Sequence, residues 1–210
     1  VIVCEGASEI GLIRGLDQHR TSKGENSIAA LGTALIDCEG GHSDRPFGWA
    51  KVFQSLGYCA AVVRDDDKKP TAAVEQEFID KGGKLVAWRH GRALEDELFL
   101  SLSDDGIEKL LVRAIELHGD DLVNDHIKSA TNNRKDLSAI RKEALHNSIS
   151  LESRKILGVA ARTRRAGWFK SVTWMEDVAR DIVGPDLKNA DVGFRELVED
   201  IFAWSANAGE

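Results

Sequence analysis

The stretch VVRDDDKKP, residues 62–70, ends an apolar run in three consecutive aspartates. Like charges side by side repel, so the triplet needs water or a positive partner. Asp is common in turns, and a solvated turn is the plain reading. Along a strand, alternate side chains share a face, so Asp65 and Asp67 would point one way and Asp66 the other. Two carboxylates on one face at a strand's C-terminal end suit a divalent cation such as Mg2+. On that reading Asp66 is the solvated member.

Working outward, YCAAVVRD (58–65) reads as a strand. VIVCEG (1–6), TALIDCEGG (33–41) and KLVAWR (84–89) are three further short apolar runs that read the same way. A helix is predicted over 9–20, with Ser8 as its cap and Ile10, Ile13 and Leu16 at helical spacing. PFGWAKVFQSLG (46–57) and PTAAVEQEFIDKGG (70–83) each open on Pro and close on Gly, the asymmetry of helix ends. The alternation predicts an α/β fold, a parallel sheet with helices on both faces.

Beyond this the pattern changes. ALEDELFLSL opens a helix near residue 93, and from about 103 onward no strand pattern is found. Helices are predicted over 105–118, 122–129, 135–146 and 151–164. Thr173-x-x-Glu176 reads as a capping box opening a helix that runs to about Val183, where Gly184-Pro185 stops it. A last amphipathic helix spans Phe194 to Trp204. The expected division is an α/β domain over 1–102 and an all-helical domain over 103–210.

The chain has 210 residues, 42% hydrophobic and 30% charged, which suits a soluble globular protein. It has no apolar run of the roughly 18 residues a membrane span needs, so no membrane partner is expected. Cys4, Cys38 and Cys59 form no CxxC pair, which argues against a disulfide framework or a zinc site. Buried, reduced thiols in a cytoplasmic protein are expected. The chain opens inside a strand-like run without an initiator Met, and Met175 is its only Met. It is expected to be part of a larger protein.

Net charge is −7, yet residues 128–170 hold eleven Lys or Arg and three acids. That segment carries +8 and leaves −15 for the rest. A basic block beside an acidic domain suits a polyanion held against a metal site. Arg162, Arg164 and Arg165 are the candidate contacts to a phosphate backbone.

Open parallel sheets bind ligands at the carboxyl ends of their strands. Acids gather there. Glu5 ends the first strand, and Glu9 follows four residues on, on the same side of a helical turn. Asp37 ends the second strand, and Asp65 and Asp67 the third. GRALEDELF after the fourth brings Glu95, Asp96 and Glu97. One or two Mg2+ or Mn2+ ions would offset their mutual repulsion. Glu9 also has a plain reading as a helix N-terminal acid, and Asp37 as a turn residue. The five Trp are expected in the core, and the six His show no ligand spacing.

V-I-V-C-E-G-A-S-E followed later by D-D-D resembles the Toprim domain, whose first motif is an apolar strand, Glu-Gly and a helix, and whose second is Asp-x-Asp. The match covers roughly residues 1–100. Within that group the chain looks most like the C-terminal half of an OLD-family (overcoming lysogenization defect) nuclease. Glu9 supplies a second acid in the first motif. R-A-L-E-D-E-L resembles the family's Leu-Glu motif, which implies Glu95, rather than Glu97, at the metal. G-W-F-K resembles the segment that brings a lysine to the site, here Lys170. The resemblance implies metal-dependent DNA cleavage with Glu5, Asp65, Asp67 and Lys170 as catalytic groups. Glu5, Glu9, Asp65, Asp67 and Glu95 would be metal ligands. It also implies a preceding ABC-type ATPase and a homodimer formed through it; no G-x-x-x-x-G-K-[ST] loop occurs in this chain.

Other functions use similar residues. A topoisomerase needs a nucleophilic Tyr, and the chain's single Tyr58 falls at the start of a predicted buried strand. A primase-like nucleotidyl transferase would share the carboxylates and metals, but the helical tail with G-W-F-K speaks mildly against it. A non-catalytic Toprim module binding DNA or a protein can lose its acids, whereas this chain retains the full set. A receiver or phosphatase domain does not suit the first-strand Glu-Gly.

Overall fold

The computed structural model describes residues 1–146, 149–163 and 166–208. Among these, β1 (Ile2–Cys4), β2 (Leu35–Asp37), β3 (Ala61–Arg64) and β4 (Lys84–Ala87) form one parallel sheet in the order β2-β1-β3-β4. In register, Ile2 stands opposite Leu35 on one side and Ala61 on the other, and Ala61 opposite Lys84. The helices between the strands are α1 (Ala7–Ser22), α2 (Arg45–Ser55) and α3 (Ala72–Asp80).

β1 and the Ala61–Val63 stretch of β3 are apolar because both faces of these central strands are covered. Period-two alternation then divides the core. Ile2, Cys4, Ala61 and Val63 face α1 and the C-terminal helices. Val3 and Val62 face the other way, onto Phe47 and Ala50 of α2 and Phe78 of α3. The Phe47 and Phe78 rings meet edge to face, with centroids 5.5 Å apart.

The remaining chain is helical: α4 (Leu94–Ser101), α5 (Asp104–His118), α6 (Asp120–Ala130), α7 (Leu137–Leu145), α8 (Leu151–Ala161), α9 (Val172–Val178), α10 (Gly184–Asp186) and α11 (Val192–Asn207). The class change near residue 102 is not a break in packing. One hydrophobic cluster runs from Ile2 and Val63 through Leu98 to Phe194 and Val198. α1 lies directly on α9, and a Cβ on Gly11 would come 2.5 Å from the Val172 carbonyl oxygen. One turn on, a Cβ on Gly15 would come 2.1 Å from the Glu176 carbonyl oxygen. Only glycine allows this approach. No helix among the described residues is long and apolar enough to cross a membrane.

Helix starts differ from expectation in two places. α1 begins at Ala7, so Ser8 lies inside it; Gly6 is the N-cap, and its N–H donates to Glu9 Oε2 at 3.1 Å. α9 is capped by Ser171, whose Oγ accepts from the Trp174 N–H at 3.1 Å, which puts Thr173 within the helix. Gly184-Pro185 does not stop that helix. A π-helical segment, Ala179–Val183, carries it into α10. Pro185 is the second residue of α10, directly after this π-helical segment.

Candidate metal centre

In the order β2-β1-β3-β4 the chain reverses direction across the sheet between β1 and β3, which is where open α/β sheets place ligands. Glu5 leaves β1 at that point and Asp65 leaves β3. The Asp65 N–H donates to Glu5 Oε2 at 3.1 Å, and Asp65 Oδ1 accepts from the Leu94 N–H at 2.8 Å. The second bond joins the third strand's end to α4, which carries Glu95. Each carboxylate keeps its other oxygen clear of these bonds.

A cleft of about 470 Å3 opens here, lined by Glu5, Glu9, Asp37, Asp65, Glu95 and Lys170, with Gly6, Ala7, Ser8, Glu39 and Gly40 completing its wall. Four strand ends and a lysine from 75 residues beyond Glu95 therefore meet in one place. Glu9 and Glu95 are each 4% exposed, deep for carboxylates.

The electrostatics follow from burial. Burial pushes the Asp65 carboxyl up to about 8; Glu95 and Glu5 add repulsion, and the Leu94 N–H works against it. Burial raises Glu9 well above the usual carboxylate range, with Asp65, Glu95 and Glu5 pushing the same way. Burial also raises Glu95, against the pull of Lys170. Glu5 is raised by burial too, opposed by the Asp65 N–H. Without added positive charge each of these groups therefore keeps its proton to a higher pH than an ordinary carboxyl.

Glu95 Oε1 is buried and makes no hydrogen bond. An orphaned carboxylate oxygen aimed into a cleft of repelling acids suits a hard divalent cation, which takes oxygen ligands. The donor set fits Mg2+ or Mn2+. Among the described residues no group of three or more His, Cys, Asp or Glu is arranged so that it could hold a metal ion as it stands. The acids line one cleft without being drawn together into a shell.

The other sequence-predicted residues are placed as follows. Asp67 sits at the rim, its side chain 27% exposed, with Oδ2 3.4 Å from Arg162 Nη1. It is close enough to add to the repulsion at Glu5 and Asp65. Asp37 lines the cleft, and its Oδ1 accepts from the Glu39 N–H at 2.7 Å, so it also builds the turn. Glu97 is not brought to the cleft. Two residues along a helix is roughly 200° of rotation, so Glu97 points away from Glu95. It is fully buried, bonded to Arg89 at 2.6 Å, Arg92 at 3.1 Å and Ser101 at 2.7 Å.

Asp66 is not the solvated member of the triplet. Its side chain is 12% exposed and pairs with Arg64 and Lys69. Oδ2 accepts from the Gly91 N–H at 2.8 Å, tying the triplet to the loop after β4. Arg64, itself buried, reaches on to Glu75 at 2.7 Å.

Arg162 does lie by the acidic edge, but its guanidinium is held by Asp67 and by Asp96, the latter at 3.4 Å. Arg164 and Arg165 lie outside the described residues. Several members of the basic block pair internally: Lys135 with Glu143, Arg141 with Asp120, Arg154 with Asp104. These basic side chains meet acids brought to them by the fold, which a linear count of charge does not reveal.

Two histidines with no sequence signal support the lysine. Trp168 Nε1 donates to His126 Nδ1 at 3.1 Å, and His118 Nε2 lies 2.9 Å from the Trp168 carbonyl oxygen. They come from α6 and the end of α5, about 42 and 50 residues before Trp168. Comparison of the chain with protein-family models, with curated proteins and with solved structures gives no match.

Proposed function

We propose that the chain is a Mg2+- or Mn2+-dependent DNA endonuclease, the catalytic half of an OLD-type nuclease with a Toprim-like α/β part. The single observation that carries this reading is the cleft at the β1–β3 reversal, where Glu5, Glu9, Asp65 and Glu95 converge with Lys170 opposite. These four carboxylates would hold one or two cations, with Asp67 joining from the rim. A divalent cation there supplies concentrated positive charge for the phosphodiester oxygens.

The chain's own groups have distinct tasks. Lys170 neutralises charge that grows on the phosphate as water attacks phosphorus and the P–O ester bond breaks. Glu5 stands at the mouth, with Oε2 held by the Asp65 N–H. Its other oxygen, Oε1, takes the proton from the attacking water, and the leaving oxygen takes up a proton from solvent. Glu9 and Glu95 stay buried and serve as fixed negative charge.

A second reading is a DNA- or protein-binding module without catalysis. The lack of a closed ligand cage among the described residues favours it. Plasmid cleavage separates the two. Nicking or linearisation with Mg2+ or Mn2+, lost in EDTA and in Asp67→Ala and Asp65→Asn, supports the nuclease. A folded protein that binds DNA but cleaves none of it with any of these metals supports the binding module.

A further inference from the structure

Lys170 reaches the cleft from a segment that belongs to no helix or strand. A lysine on a loop carries the largest side-chain entropy, and catalysis needs it in one place. The G-W-F-K stretch answers this with a built mount. Trp168 and Phe169 are fully buried. The Trp168 N–H donates to the Ala161 carbonyl at 2.9 Å, which ties the segment to the end of α8. Its indole stands edge-on to Phe99, with centroids 5.9 Å apart. Phe99 lies four residues after Glu95 on α4, hence on the same face. The lysine's segment is therefore packed against the helix that carries Glu95, a buried acid of the cleft.

Two contacts set where the lysine goes. Trp168 Nε1 donates to His126 Nδ1, so that nitrogen must be unprotonated, with the proton on Nε2. Burial, with His118 nearby, lowers the His126 pKa and keeps the acceptor. Gly167 supplies the second contact. A Cβ there would lie 2.6 Å from Lys170 Cδ and Cγ and 2.8 Å from Cε. The methylenes of Lys170 thus run through space that any side chain at 167 would fill.

We propose that Gly167 and the His126–Trp168 hydrogen bond position Lys170 against the carboxylate cleft, making Gly167, Trp168 and His126 positioning residues for its chemistry. The functional part of this rests on the nuclease reading; the placement of Lys170 does not.

Gly167→Ala is the sharpest variant, because the three atoms nearest its Cβ all belong to the movable Lys170 side chain. The full chain is labelled by reductive 13C-methylation of its lysines. The Lys170 resonance is identified by its loss in Lys170→Arg, and its shift is followed with and without Glu95→Gln. In the wild type, Glu95→Gln moves that resonance. In Gly167→Ala the resonance is displaced and no longer responds to Glu95→Gln, while the melting temperature is unchanged. His126→Leu gives the same displacement, and His126→Asn, which keeps an acceptor for the indole, restores it.

On cleavage, Gly167→Ala lowers kcat by on the order of tenfold to a hundredfold with little change in KM. A Lys170 resonance at its wild-type position in Gly167→Ala and in folded His126→Leu overturns the proposal. If His126→Leu does not fold, Gly167→Ala alone decides. A wild-type chain that cleaves no DNA overturns the nuclease reading, and the resonances still decide where Lys170 is held.

Discussion

The Asp65 N–H donates to Glu5 Oε2 at 3.1 Å and so clasps the ends of β1 and β3 together. The same clasp holds two carboxylates side by side, with Glu9 and Glu95 behind them. Such a cluster opposes folding until positive charge arrives. Without divalent cations, Asp65→Asn should therefore melt higher than the wild type near pH 8. With saturating Mn2+ the order should reverse, since only the wild type gains from binding; at a hundredfold excess over Kd that gain is about 2.7 kcal/mol. Thermal melts of both proteins with EDTA and with Mn2+ test this, and an unchanged order rejects it.

Acidity should act in the same direction as the cation. Asp65 has its carboxyl raised from an ordinary 3.8 to about 8. Between those values the native chain holds a proton that the unfolded chain has released. Stability of the cation-free protein therefore falls as pH rises from about 4 to 8 and levels off above. The upward shifts at Glu5, Glu9 and Glu95 add to it. The total is on the order of a few kcal/mol. Urea midpoints from pH 5 to 9 in EDTA should decline, and Mg2+ should flatten the decline. A midpoint that climbs with pH in EDTA contradicts the prediction.

Glu95 and Glu97 should part company under mutation. Glu95→Gln removes a repelling charge, so the cation-free protein should be at least as stable as the wild type while Mn2+ affinity falls. Glu97→Gln strips Arg89 and Arg92 of a fully buried partner. Breaking a buried pair costs about 3–5 kcal/mol. Mn2+ affinity of the remaining folded protein should be unchanged. Calorimetric Mn2+ titration beside urea denaturation separates the two effects; equal loss of metal affinity in both variants would count against the assignment of Glu95.

Arg162 bridges Asp67 and Asp96 at 3.4 Å each. Phosphate competes for the same guanidinium once a cation satisfies Asp67. Arg162→Gln should then lower the slope of log affinity for duplex DNA against log salt by about 0.9. An unaltered slope, measured by fluorescence anisotropy with Ca2+ to prevent turnover, confines Arg162 to its two aspartates.

The α/β part should not stand alone. α1 is packed on α9 at van der Waals limits through Gly11 and Gly15, and Arg154 Nη1 donates to the Leu102 carbonyl oxygen at 2.7 Å. A fragment covering 1–102 should lack a cooperative thermal transition and its native near-UV spectrum. A sharp transition in that fragment would show the helices to be dispensable for folding.

The sheet was readable because its two central strands are buried on both faces and show as apolar runs, and because α2 and α3 open at Pro and close at Gly around β3. The cleft was readable because acids at strand ends are few and fall at the edge where parallel sheets bind ligands. Local chemistry misled where several residues compete for one role. Ser8 and Thr173 are good caps by type, but Gly6 and Ser171 hold the capping positions. Asp66 alternates away from Asp65 as expected, yet a buried Arg64 and the Gly91 N–H await it. His118 and His126 carried no signal at all, since what gives them a role is a tryptophan brought to them by the fold.

The glycine seam between α1 and α9 also bears on how the chain is made. About 150 residues separate Ser22 from Val172. At roughly 5–20 residues per second, a ribosome needs on the order of 10 s to cover that span. Through that interval the side of α1 that will meet Met175 and Ala179 is open to water and to neighbouring chains. The acidic cleft, which begins at the N-terminal end of the same helix, is therefore completed only once Lys170 has left the ribosome.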